Sequence, residues 1–245
     1  MSFFKKLLSP IILPWFTLGA GALGLILNIF LFSAIDEKGL LPASHASETL
    51  LYLLTAFVFL ILFLCVRKIN PKTPYRELYS ADILRAVGSA IGAVGIFLRA
   101  ISVGTSGKLE TLTLIAGIIG ALALAYIAYL RFVGKRPSYL CFLAVLVFLV
   151  LNTVCASRLW SIEPQMHAYF YPLLANIFLM FNTYYLAEMA GGSGNSRVCV
   201  LLNQATLFLC CICMPSKSTL FYVTMSIWLL LDLCTIGKAS SAEEA

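Results

Sequence analysis

Ala81-Asp-Ile-Leu-Arg-Ala-Val-Gly-Ser-Ala-Ile-Gly-Ala-Val-Gly-Ile-Phe-Leu-Arg99 is glycine-rich, long enough to cross a bilayer, and carries an arginine toward each end. At about 100° per residue, Arg85, Gly88, Gly92, Gly95 and Arg99 fall within about 60° of one another's mid-line, with Asp82 on the border. Lipid has no use for such a stripe, because glycine offers it no apolar surface and arginine is costly to place there. Another helix can approach a glycine track closely. The expectation is that this third apolar segment sits at the centre of a bundle with its cationic, side-chain-poor face turned into protein.

Composition supports a bilayer. Of 245 residues, 61% are hydrophobic and 11% charged, with a mean hydropathy of +0.95, whereas soluble domains are about one quarter charged. The net charge of +6 does not point to nucleic acid, since the 17 lysines and arginines stand at the ends of apolar runs and form no patch. The eight cysteines lie in or beside apolar segments, unlike a secreted disulfide framework. Cys210-Cys211-Ile-Cys213 is their one cluster, and it lacks a second Cys/His pair at ligand spacing. No metal and no cofactor are expected.

Eight segments reach spanning length, at about 10–34, 48–66, 79–103, 109–131, 138–160, 166–189, 197–214 and 218–236. The first is too long for a signal h-region and reads as an uncleaved span. The seventh is the weakest, being short and interrupted by Asn203-Gln204. With the N-terminus inside, the inner side holds Lys5, Lys6, Arg67, Lys68, Lys72, Arg76, Arg131, Lys135, Arg136, Arg197 and Lys238; the outer holds Lys38, Lys108, Arg158 and Lys217. That asymmetry predicts both termini inside. The fold expected is all-α, a polytopic membrane helix bundle of about eight spans, as one domain over 1–237 with a short polar cytoplasmic tail at 238–245. The lack of Asn-x-Ser/Thr acceptors and lipidation signals suits a bacterial plasma membrane. Asn28 and Asn152 match in position without making a repeat. Gly191-Gly-Ser-Gly-Asn195 reads as a linker, since no Gly-Lys-Ser/Thr follows it.

Polar groups inside spans are expensive and mark sites or structural pairs. An inner set comprises Asp82, Arg85, Glu188, Asn203, Gln204 and Asp232, with Asp82, Glu188 and Asp232 as counter-charges to the arginines or as proton carriers. An outer set comprises Asn28, Arg99, Asn152, Thr153 and His167. On the aromatic-rich sixth span, His167, Tyr171, Asn182, Tyr185 and Glu188 share one flank, either a cavity wall or two interfacial aromatic belts. Small residues on the first, third and fourth spans predict that these three pack together.

Catalytic motifs are lacking. No Gly-x-Ser-x-Gly or His-Glu-x-x-His occurs, and Asp82 and Asp232 lack a Gly-x-Gly-Asp setting. The chain is therefore expected to bind or move a small solute through a polar intrahelical cavity beside the third, sixth and eighth spans. Arg85 and Arg99 would meet an anion or carboxylate there, while His167, Asn182 and Tyr185 line the wall. The alternative is a non-catalytic structural or regulatory subunit that docks a membrane protein partner, or a second copy, through its small-residue faces.

Overall fold

The computed structural model describes residues 12–34, 46–67, 69, 82–105, 107–160 and 166–235, the side chains at 159–160 and 166–168 falling outside that description. Among the described residues there are eight helices and no strand: α1 (Leu13–Ser33), α2 (Ala46–Val66), α3 (Ile83–Val103), α4 (Lys108–Phe132), α5 (Tyr139–Trp160), α6 (Met166–Gly191), α7 (Ser196–Ile212) and α8 (Thr219–Cys234). Helices α1 to α5 are long and apolar enough to cross a membrane. Their outward faces carry large apolar side chains, among them Leu53, Phe57, Leu122 and Phe132, each more than half exposed. Water would penalise such a belt and acyl chains accommodate it, so this is a helical membrane protein.

Local chemistry sets the helix ends. Asp82 caps α3, its Oδ1 accepting from Leu84 N–H at 3.1 Å, and the helix stops at Gly104 with φ 80°. Between α6 and α7 the reversal is tight. Gly192 takes φ 99° while its N–H donates to Glu188 O at 3.0 Å, and Asn195 then caps α7, accepting from Arg197 and Val198 N–H at 3.1 and 3.4 Å.

Helices α3 to α8 each pack on the next in order, and α8 returns to pack on α3, closing a ring of six. The seam between α8 and α3 is the glycine track. A Cβ on Gly88 would meet Leu231, on Gly92 it would meet Trp228 at 3.2 Å, and on Gly95 it would collide with Thr224. The stripe does face protein, and Arg85 is wholly buried.

Two expectations are corrected. The most enclosed helix is α7, not α3: every residue from Asn203 to Cys213 is buried, because α1, α2, α6 and α8 all pack around α7. The first span does not join the third and fourth. Its glycines serve α7 instead, where a Cβ on Gly21 would lie 2.8 Å from Cys211 Cβ and one on Gly24 2.7 Å from Ile212 Cγ1. The third and fourth spans do pair closely, with Gly117 against Ala100. The tail at 238–245 lies outside the described residues.

Candidate functional site

Where the start of α3 meets the ends of α4 and α8, Arg85 donates from Nε to the Thr235 hydroxyl and from Nη2 to Asp232 O at 3.2 Å. The Asp232 carboxylate goes to a different arginine. Arg131 Nη1 reaches Asp232 Oδ1 at 2.8 Å and Nη2 reaches Oδ2 at 3.3 Å, a two-pronged ion pair with side-chain exposures of 4% and 0%. Arg131 Nη1 also donates to Ser89 Oγ at 2.6 Å, and Ser89 donates to Arg85 O at 2.9 Å. Five residues thus hold α3, α4 and the end of α8 together, and such an ion pair costs several kcal/mol to break from one side.

Asp232 was expected to meet Arg85 by its carboxylate, but only its backbone does. Arg131, Ser89 and Thr235 were not anticipated. The signal for Arg131 was present: it lies two heptads beyond Gly117 and one beyond Leu124, on the buried face of α4, yet its place at a span end made it read as a topology charge. Asp82 serves as the α3 cap, partly exposed at the helix end. Glu188 is half-buried on α6, which packs on α5 and α7, whereas Arg85 lies between α3, α4 and α8.

At the opposite end of the bundle, bonds cross the ring. Arg99 on α3 donates from Nε to Asn152 Oδ1 on α5 at 2.9 Å, and α3 and α5 are separated by α4. Tyr222 on α8 donates to Asn176 Oδ1 and to Pro172 O on α6, each at 3.4 Å, across α7. Four ring helices therefore aim polar groups at one level of the interior.

The arrangement opens outward through a cleft of about 180 Å³ between α3 and α8, lined by Arg99, Ser102, Lys217, Ser218 and Thr219 with Leu98, Leu220 and Phe221. Arg99 is half-buried, and its partners are the Asn152 amide oxygen and the Ser102 hydroxyl at 3.5 Å. Among the described residues no carboxylate pairs with it. Ser218, at the start of α8, makes no side-chain cap, and the first turn of that helix lines the same cleft. An opening of this size suits a phosphate or carboxylate better than a drug-sized ligand.

The remaining expected residues scatter. Asn28 Nδ2 donates to Ile212 O at 2.7 Å, and Thr153 donates to its own helix at Leu149 O, 2.8 Å away. His167 lies in the first turn of α6, its side chain outside the described residues. Tyr185 is half-buried with its ring edge-on to exposed Tyr184, and Tyr171 shares a 3.2 Å hydrogen bond with Thr55 on α2. Asn182, Asn203 and Gln204 are buried in the half of the α6–α7 hairpin nearer its turn, on other helices than the arginine sets. No family model, curated protein or solved structure matches the chain.

Proposed function

We propose that this is a multi-pass protein of a bacterial plasma membrane, both termini inside, that binds a small anionic solute at Arg99 as the first step in moving it. One observation carries the reading. A half-buried guanidinium, fixed by Asn152 and facing a small open cleft, spends its described contacts on neutral oxygens. Unpaired buried charge is costly, so an arginine held there is best explained by an anion supplied from outside. Lys217 and the start of α8 add positive potential at the mouth.

The network around Asp232 supports the same division of labour. Arg131 and Asp232 neutralise each other and tie α4 to α8, whereas Arg99, with Lys217 beside it, lines an opening. The partner-docking alternative draws on fewer residues than the sequence suggested, since Gly21, Gly24, Gly88, Gly92, Gly95 and Gly117 are covered from within the chain. Gly19 alone of the first-span glycines described has open space beyond it.

Thermal unfolding of detergent-purified protein, titrated with phosphate, acetate or chloride, tests the reading. At least one anion is expected to raise the wild-type midpoint saturably, with Arg99→Gln losing the response and Arg99→Lys keeping part of it. An Arg99→Gln protein that responds like wild type, or a wild type indifferent to all three, would refute it.

A further inference from the structure

Three amide side chains in the inner half are buried without the partners their chemistry requires. Asn182 is 0% exposed, Asn203 0% and Gln204 1%. Among the described residues neither amide atom of Asn182 or of Asn203, nor Oε1 of Gln204, has a hydrogen-bond partner. A neutral amide left bare in an apolar interior is costly, so five such atoms on one helical hairpin call for an occupant.

Asn182 and Gln204 converge on one place. Phe178 on α6 and Phe208 on α7 both pack edge-on against Phe59 of α2, with ring centroids 5.4 and 6.4 Å apart. Helix α6 runs inward and α7 outward. Asn182 is therefore one turn to the inner side of Phe178, and Gln204 one turn to the inner side of Phe208, each rotated by only about 40° from its aromatic neighbour. Helix geometry therefore places each amide one turn from a ring of the same aromatic triad, toward the junction of α2, α6 and α7, with Asn203 next to Gln204 in the chain.

We infer that this junction is a binding site for a small neutral molecule that both donates and accepts hydrogen bonds. Asn182 offers a donor and an acceptor, and Gln204 an acceptor. Leu62, one turn inward of Phe59 on α2, is fully buried and apolar, so no charged group from α2 competes for the amides at that level. Water is the smallest molecule of this class, and a small amide or polyol is the alternative source of the same chemistry. The site lies on other helices than the Arg99 cleft and does not depend on it.

The near-isosteric variants Asn182→Leu and Gln204→Met, and the double variant, test the site by thermal unfolding of the purified protein. Were the amides simply orphaned, apolar replacements would leave the midpoint unchanged or raise it. With an occupant, each single substitution lowers the midpoint by about 3–8 °C. The double variant then loses less than the two shifts combined, because the shared molecule departs with the first change. Asn182→Ser, which keeps a donor and an acceptor and adds room for water, is expected within about 2 °C of wild type, and it decides the matter if a leucine variant does not fold. Acetamide as a probe separates the sources. A rise in the wild-type midpoint that the double variant lacks identifies an exchangeable solute, and coupling without that response identifies resident water. Additive shifts, a stabilising single variant, or Asn182→Ser as damaged as Asn182→Leu would overturn the inference.

Discussion

Asp232 shows how a buried charge is tolerated in an apolar bundle. Its carboxylate meets Arg131 in two-pronged geometry while its carbonyl serves Arg85 and Thr235. Asp232→Asn should therefore leave a nearly dry guanidinium without its counter-charge, at a cost of about 3–5 kcal/mol. Replacing both partners, as in Arg131→Leu with Asp232→Leu, should cost less than either single change. Chemical or thermal unfolding of the purified variants measures both, and a double variant as unstable as the two singles summed would contradict the pairing. Sequence made Arg85, Arg99 and Asp232 conspicuous because charge inside a span is rare. Arg131 escaped because a charge at a span end is common, and only its buried helical face distinguishes it.

At the scale of the element, apolar length and turn chemistry made all eight helices legible to within a few residues, since a long apolar segment must satisfy its own backbone internally. Rank within the bundle was less legible. Helix α7 looked weakest because it is short and polar in the middle, yet a helix enclosed by four others has no need of greasy surface. The glycine track, by contrast, announced its own contact. Gly95→Val should force α3 away from Thr224 and destabilise by roughly 1–3 kcal/mol or more, while Gly19→Ala, with nothing within 4 Å of the added carbon, should be neutral or stabilising by up to about 1 kcal/mol. Unfolding midpoints of the two variants check the contrast, and equal effects would mean that the seam is not tightly packed.

For the whole molecule, the ring is what brings Arg99, Asn152, Asn176 and Tyr222 to one level, although they are far apart along the chain. Periodicity finds which face of a helix is polar, but it does not say which helices close on one another, so the crossing bonds were beyond its reach. The cleft at Thr219 and the two half-buried native thiols of α5 and α8 lie at opposite ends of the bundle: Cys141 is near the start of α5 and Cys234 at the end of α8, whereas Thr219 is exposed at the start of α8. Labelling of a Thr219→Cys variant in intact cells by a membrane-impermeant maleimide, with and without inorganic phosphate outside, therefore tests orientation and site together. The account predicts labelling from outside that phosphate slows several-fold, and no slowing once Arg99→Gln is added. Labelling only after the membrane is broken, or a rate indifferent to phosphate with Arg99 intact, would contradict it.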